Sequence, residues 1–186
     1  MSADATPLVI LDRDGVINVD RVDYVRRLEE WQPLPGSLEA IAQLSRAGIT
    51  VAVATNQSGI GRGVYELSSL QQIHELLQRQ VEALGGRIAH IAFCPHAPEH
   101  GCSCRKPAPG MLEEISRQLG LPLRQVPYVG DALRDLQAAR AAGAQPVLVR
   151  TGKGATTETE LPAAWGVPVH ADLAAFVASH LRRLGS

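Results

Sequence analysis

Two carboxylates, Asp12 and Asp14, stand two residues apart directly after a short apolar run, Leu8–Leu11. The run is typical of a buried strand, and Gly15 allows the chain to turn sharply after it. Residues two apart in an extended segment point to the same side, so both carboxylates should face one pocket at the carboxyl end of the strand. Two neighbouring carboxylates repel each other and attract a divalent cation. With Mg²⁺ holding a phosphate, Asp12 can act as the nucleophile and Asp14 can protonate the leaving oxygen.

The elements that would position these residues follow from the alternation of apolar runs with segments of helical period. This pattern predicts a three-layer α/β fold, a Rossmann-like parallel sheet flanked by helices. No segment is long enough for a large cap domain, so we expect an open pocket shaped by loops. A capping box of Ser68 with Gln71 is predicted to open the second helix, and residues 151–163 are predicted to be a polar loop. The predicted strands lie at about 8–11, 49–54, 88–93, 126–129, 147–149 and 167–169, and the predicted helices at about 37–47, 68–84, 111–119, 133–142 and 172–184.

The composition is that of a globular chain of 186 residues with 45% hydrophobic residues, 20% charged residues and a net charge of −1. A net charge this close to zero gives no strong positive potential that would attract nucleic acid or an anionic membrane. Residues 1–7 contain an Asp and no basic residue, which predicts no secretory signal, and no apolar run reaches a membrane-spanning length. We therefore expect one cytoplasmic domain over residues 1–186, monomeric, with a small molecule as its partner.

Unusual polar residues follow four of the predicted strands, and parallel neighbours would bring them to one crevice. Their types suit phosphoryl transfer, which needs a metal ion, a cation and hydrogen-bond donors around the equatorial oxygens. Lys106 would supply the cation, Thr55 a hydroxyl donor and Asp131 an oxygen ligand for Mg²⁺. Each has a structural alternative when taken singly; Asp131, for example, could cap the helix that begins near Leu133. In chain order the residues are Asp12 with Asp14, Thr55 with Asn56, Arg105 with Lys106, and Asp131.

All three cysteines lie within residues 94–104, which favours a metal site over a disulfide framework. Three thiols and an imidazole suit tetrahedral Zn²⁺, and four protein ligands leave no open position, so the site is predicted to be structural. It would fix the loop that presents Arg105 and Lys106. His100 is an alternative to His96, although the Cys-Pro-His spacing favours His96. The predicted ligands are Cys94, His96, Cys102 and Cys104.

Over residues 8–135 the chain resembles the haloacid dehalogenase-type phosphatases. The motifs that carry the resemblance are Asp12-Arg13-Asp14-Gly15-Val16, Thr55, Lys106, and Gly130-Asp131 with Asp135. The resemblance implies that Asp12 forms an aspartyl-phosphate and that Asp14 is first the acid and then the base for water. It also implies that Asp12, the backbone carbonyl of Asp14 and Asp131 hold Mg²⁺. Asp135, one helical turn beyond Asp131, is expected outside the direct ligand set.

The zinc loop and the segment 55–63 resemble one branch, the D-glycero-D-manno-heptose 1,7-bisphosphate 7-phosphatases. This resemblance implies removal of the C7 phosphate of a sugar bisphosphate during synthesis of nucleotide-activated heptose for lipopolysaccharide core or other surface glycans. Arg105 suits the distal phosphate because its guanidinium can bind two oxygens at once. The branch commonly has Lys where this chain has Ala132, and Arg134 is left open as its replacement. The implied substrate contacts are Asp20, Arg21, Val22, Asp23, Asn56, Gln57, Ser58 and Arg105.

Three other functions have some support in the sequence. Histidinol-phosphate phosphatases share the zinc loop and the Asp-Arg-Asp-Gly start, but carry an acidic residue where this chain has Ser58. A receiver domain of a signalling relay also combines acidic metal ligands with a phospho-accepting Asp, a Thr and a Lys, in a different order and without a zinc loop. A zinc-knuckle nucleic-acid module is disfavoured by the near-neutral charge and the aromatic content of 4%. The glycines of 59–63 lack dinucleotide spacing, and Gly152-Lys153-Gly154 is predicted to be a surface turn.

Overall fold

The structure is a computed structural model that describes residues 7–185. The predicted absence of a signal segment concerns residues 1–7 and therefore falls almost wholly outside the described residues, as do both ends of the predicted domain. Between residues 7 and 185, no helix combines the length and the apolar character needed to cross a membrane.

Six parallel strands form one sheet. They are β1 (Leu8–Leu11), β2 (Thr50–Asn56), β3 (His90–Cys94), β4 (Pro127–Gly130), β5 (Gln145–Val149) and β6 (Val169–His170). Their spatial order is β3-β2-β1-β4-β5-β6. β1 lies inside the sheet, where Leu11 is in register with Val53 of β2 and Val129 of β4. The order reverses between β1 and β4, and open α/β sheets build their sites at the carboxyl ends of the strands at such a point.

Helices cover both faces of this sheet and form two apolar layers. The helices are α1 (Ser37–Arg46), α2 (Ser58–Gly61), α3 (Leu67–Ala83), α4 (Gly110–Leu119), α5 (Leu133–Ala141), α6 (Gly154–Glu160) and α7 (Leu173–Leu184). Because side chains alternate along a strand, Val9 and Leu11 of β1 pack in one layer with α1, α3 and α7. Leu8 and Ile10 pack in the other layer with α4 and α5. The predicted three-layer α/β fold is confirmed.

The differences from the predicted elements are local. The prediction of a polar loop over 151–163 is wrong, because α6 and a short 3₁₀ helix at Ala163–Trp165 lie there. The predicted capping box of Ser68 with Gln71 is also wrong: α3 begins at Leu67, and its first turn has no side-chain cap among the described residues. Residues 12–36 connect β1 to α1 and contain one 3₁₀ helix, Leu28–Glu30. No cap domain is inserted within the described part of the chain.

Candidate active site

The carboxyl ends of β1, β2 and β4 bring the predicted phosphoryl-transfer residues together. Asp12 directly follows β1, and its backbone N–H donates to the carbonyl of Val129 at 2.8 Å. Thr55 is the penultimate residue of β2, and Asp131 directly follows β4. Lys106 arrives from the loop after β3. All four side chains are buried.

Lys106 lies at the centre of this group as a buried ammonium. Its Nζ is 2.8 Å from Asp12 Oδ1 and 2.8 Å from Asp135 Oδ1. It also donates to the Tyr128 hydroxyl at 2.8 Å and to the carbonyl of Ala54 at 3.0 Å. Burial opposes protonation, but the two carboxylates outweigh it and raise the pKa of Lys106. The site therefore holds a permanent positive charge beside Asp12.

The carboxylates are more numerous than this one ammonium can neutralise. Burial, followed by the charge of Asp135, raises the pKa of Asp12 to about 8. The same two causes raise the pKa of Asp131 to about 6. Oxygens of Asp12, Asp131 and Asp135 all lie within 4.8 Å of one another. The cluster therefore attracts a divalent cation.

Asp131 offers a free ligand atom for such a cation. Its Oδ2 accepts from the backbone N–H of Lys153 at 2.8 Å, whereas its Oδ1 is buried and has no hydrogen-bond partner among residues 7–185. An unpaired buried carboxylate oxygen is costly unless it binds a metal ion. Oxygen donors are the ligands that Mg²⁺ prefers. The donor set thus fits Mg²⁺.

Asp135 is hydrogen-bonded through one oxygen and forms an ion pair through the other. Its Oδ2 accepts from the backbone N–H of Ala132 at 3.0 Å, and its Oδ1 faces Lys106. Asp135, rather than Asp131, therefore caps α5. These contacts support the expectation that Asp135 lies outside the direct ligand set, and the ligand role of the Asp14 carbonyl stays a prediction.

Asp14 is held by three neighbours. Arg13 Nη2 donates to its Oδ1 at 3.0 Å and to its Oδ2 at 3.1 Å. Asn18 Nδ2 and Gln57 Nε2 each donate to it at 2.9 Å. Desolvation opposes ionisation of Asp14, but the charge of Arg13 and these hydrogen bonds outweigh it and lower its pKa. A phosphate bound beside Asp14 would raise that pKa again, because a like charge disfavours the ionised form.

Gln57 and Asn56, both predicted to contact substrate, are bonded within the protein. Gln57 Nε2 also donates to Thr55 Oγ1 at 2.8 Å, and Gln57 Oε1 accepts from the hydroxyl of Tyr65. Burial raises the pKa of Tyr65 to about 12, so its hydroxyl remains a donor. The Asn56 amide pairs with both backbone groups of Lys106, at 3.1 and 3.2 Å. These two amides set the positions of Thr55 and Lys106.

A pocket of about 380 Å³ opens over these residues. Seven of the eight predicted substrate contacts line it, and Asp23 does not. Tyr24, Val25 and Lys153 line it although they are not among the predicted substrate contacts, and Arg134 lines it as well. The contacts with substrate remain predictions. The predicted residues on the wall are Asp20, Arg21, Val22, Asn56, Gln57, Ser58 and Arg105.

The segment 151–157 builds one wall of the site. Gly152 and Lys153 lie in an exposed turn, as predicted, but the predicted surface turn ends before Gly154, which is buried and begins α6. Thr151 Oγ1 donates to the carbonyl of Gly15 at 2.6 Å, and Thr157 Oγ1 donates to that of Asp131 at 2.8 Å. Lys153 Nζ lies 2.8 Å from Asp20 Oδ2. A Cβ at Gly152 or at Gly15, both at positive φ, would clash with the Asp131 carboxylate. Close approach to the Asp131 carboxylate explains both glycines.

The cysteine loop forms a second cluster of ligand atoms. The sulfurs of Cys94, Cys102 and Cys104 lie 3.2–3.5 Å apart, and His96 Nδ1 lies 3.3 Å from Cys104 Sγ. Bonds of about 2.3 Å to a tetrahedral Zn²⁺ would place such sulfurs about 3.8 Å apart, so the four atoms can hold that ion after moving apart by a few tenths of an ångström. The alternative ligand, His100, instead accepts from the backbone N–H of Ala97 through Nδ1.

Comparison with known proteins agrees with this geometry. The family model described as HAD-hydrolase-like matches residues 103–176. The D-glycero-β-D-manno-heptose-1,7-bisphosphate 7-phosphatase of Pseudomonas aeruginosa is 53% identical over 175 residues, which cover 94% of this chain and 98% of that protein. The chain belongs to the family of D-glycero-β-D-manno-heptose-1,7-bisphosphate 7-phosphatases. The resemblance predicted from the motifs is thereby confirmed.

Further members of this family support the comparison. The 7-phosphatase of Pseudomonas putida is 59% identical over 150 residues, which cover 81% of this chain and 86% of that protein. The solved D,D-heptose 1,7-bisphosphate phosphatase of B. bronchiseptica, complexed with magnesium and phosphate, superimposes with a TM-score of 0.91 at 48% identity. The match covers 95% of this chain and 99% of that one. The similarity to this family therefore extends over nearly the whole fold.

Proposed function

We propose that this chain is a Mg²⁺-dependent phosphatase that removes the C7 phosphate of D-glycero-D-manno-heptose 1,7-bisphosphate. The observation that carries the proposal is the buried group of Asp12, Lys106 and Asp131 beneath a pocket with cations on its wall. The two Pseudomonas relatives are named for this activity on the β anomer, and we extend that preference to this chain. Its product would feed the synthesis of activated heptose.

Each chemical step has a residue in place. An Asp12 carboxylate oxygen attacks phosphorus, the bond from phosphorus to the C7 oxygen breaks, and Asp14 protonates that oxygen. Water then attacks the aspartyl-phosphate, Asp14 accepts its proton, and Asp12 is released with inorganic phosphate. Lys106 and the Thr55 hydroxyl stabilise the negative charge on the phosphoryl oxygens.

Two metal ions complete the proposal. Asp12, the Asp14 carbonyl and Asp131 would hold Mg²⁺. The bound ion would neutralise negative charge on the phosphoryl group. The cysteine loop would hold a structural Zn²⁺ and thereby fix Arg105, whose Nη1 donates to the carbonyl of His96 at 3.3 Å. From this position Arg105 would bind the distal phosphate. We propose that residues 1–186 act as one cytoplasmic, monomeric phosphatase domain.

Comparison of substrates tests this function. The β anomer of the heptose bisphosphate, its α anomer, histidinol phosphate and p-nitrophenyl phosphate would be assayed with Mg²⁺ by phosphate release. We expect kcat/KM for the β anomer to exceed that for histidinol phosphate by about 100-fold or more, because a second phosphate contact contributes about 3 kcal/mol. Faster turnover of histidinol phosphate would overturn the assignment. A stable phospho-Asp12 without turnover would indicate a receiver-type switch.

A further inference from the structure

Arg13 is a fully buried cation next to the proposed acid and base. Its side chain is 0% exposed, and Nε and Nη2 are directed at the Asp14 carboxylate. On the other branch of the guanidinium, Nη1 lies 3.2 Å from Nε2 of His74. Arginine has donors and no acceptor, so His74 Nε2 must be the acceptor in this contact. The direction of the hydrogen bond is thereby fixed.

The surroundings of His74 favour a neutral ring that accepts a hydrogen bond over a charged ring. It lies on the buried side of α3, only 8% exposed, with its ring edge against Phe93 at a centroid distance of 6.0 Å. Burial, followed by the charge of Arg13, lowers the pKa of His74 to about 3. The ring is therefore neutral near pH 7, with its remaining proton on Nδ1. Three side chains thus form one chain of contacts, from α3 through Arg13 to Asp14.

We propose that His74 is a positioning residue that acts through Arg13 on Asp14. The inference rests on the proposed function, because it assigns the pair to the reaction in which Asp14 transfers a proton. Without the Nε2 acceptor, a buried guanidinium N–H loses its partner, and the guanidinium must shift to recover one. Such a shift moves the donors that fix the Asp14 carboxylate, and small misplacements of an acid strongly reduce rate. A purely apolar contact between α3 and β3 would not have this effect.

A matched pair of substitutions tests the role of the acceptor. In glutamine, Oε1 reaches about as far from the backbone as Nε2 of histidine, whereas methionine has equal length without a strong acceptor. We expect His74→Met to lower kcat about tenfold with a change in KM of less than about twofold, because Asp14 is misplaced while the pocket wall is unchanged. His74→Gln should retain at least about half of the wild-type kcat. Leu77→Val, at a buried position of the same helix, controls for loosened packing.

Each outcome decides between the inference and its alternatives. Equal loss of kcat in His74→Gln and His74→Met, or loss in neither, would overturn the positioning role. The positioning role would also be overturned if Leu77→Val lost as much kcat as His74→Met while the two variants had the same melting temperature. Nitrogen-15 chemical shifts of the His74 ring give a readout without activity, and a protonated Nε2 would contradict the contact. Failure of the wild-type chain to hydrolyse any phosphomonoester would instead overturn the proposed function.

Discussion

Asp12 is the residue that the proposed reaction modifies, and its surroundings make a clean test possible. Asp12→Asn removes the nucleophile but keeps the shape of the side chain and leaves Lys106 paired with Asp135. We expect kcat to fall about 10³-fold or more, since loss of a nucleophile removes the covalent route. The melting temperature should change little, because the substitution keeps the size of the side chain and removes one member of a group of mutually repelling carboxyl groups. Phosphate release and thermal unfolding measure the two effects; activity near the wild-type level would exclude Asp12 as nucleophile.

At the scale of single residues, the sequence was a good guide to the proposed catalytic and metal-binding residues. It was a poor guide to the residues that position them. Asp12, Lys106 and Asp131 stand out because charged residues follow apolar strands. Arg13 and His74 do not, because nothing in a linear pattern shows that two polar side chains from distant segments are buried against each other. The roles of Asn56 and Gln57 as supports for Lys106 and Thr55 likewise depend on contacts that only the fold creates.

The element with the least expected role is the segment 151–157, which supports Asp131. Thr157→Val removes the hydroxyl that donates to the Asp131 carbonyl. We expect Mg²⁺ affinity to fall about tenfold, a typical effect of losing a support behind a metal ligand, and Thr157→Ser to restore most of it. Calorimetric titration of the metal-free protein with Mg²⁺ measures both. Equal affinities of the valine variant and the wild type would contradict this role.

The cysteine loop gives a second prediction for an element. Cys102→Ser or Cys104→Ser removes one of four ligands, and we expect the purified protein to lose its single bound Zn²⁺. The melting temperature should fall by about 5–10 °C, because the ion replaces apolar packing in this loop. Elemental analysis under reducing conditions and thermal unfolding provide the measurements. Wild-type protein without Zn²⁺ would contradict the assignment, and Ser103→Ala is the matched control because Ser103 is not among the ligands.

Elements with strong periodicity were predicted, and those without it were missed. β1 and α4 have unbroken apolar or amphipathic patterns, so their bounds agree closely with the structure. In α6, Gly154–Glu160, threonine and glutamate alternate with few apolar residues, so no helical face is visible in the sequence. The capping box failed because α3 starts at Leu67, one residue before the predicted cap. Local propensity at helix ends is weak and is readily overridden by packing.

At the scale of the whole molecule, stability should depend on pH through the carboxylate cluster. The pKa values of Asp12 and Asp131 in the folded metal-free chain exceed those of an unfolded chain. Between about pH 4 and pH 8 these two carboxyl groups bind more protons in the folded state than in the unfolded state, so their contribution to the free energy of unfolding decreases as pH rises. Mg²⁺ relieves this repulsion and competes with the same protons. We therefore expect Mg²⁺ to raise the melting temperature more at about pH 8 than at about pH 5.5.

Thermal unfolding with and without Mg²⁺ at the two pH values measures this effect. Asp131→Asn serves as the control, because it weakens both the repulsion and the metal site. An equal Mg²⁺-induced shift in melting temperature at both pH values would contradict competition between Mg²⁺ and protons for these carboxyl groups. The order of strands explains why acids so distant in sequence form one cluster: β1 and β4 are neighbours in the sheet although β2 and β3 lie between them in sequence.

The contacts of Lys106 have a kinetic consequence. An ammonium has three protons, yet its Nζ already faces four acceptors: Asp12, Asp135, Ala54 and Tyr128. A phosphoryl oxygen can gain one of those protons only after an acceptor withdraws, and Asp12 is the one that would turn toward a metal ion. Binding should then follow a compulsory sequence, in which the divalent ion enters first and the sugar phosphate second.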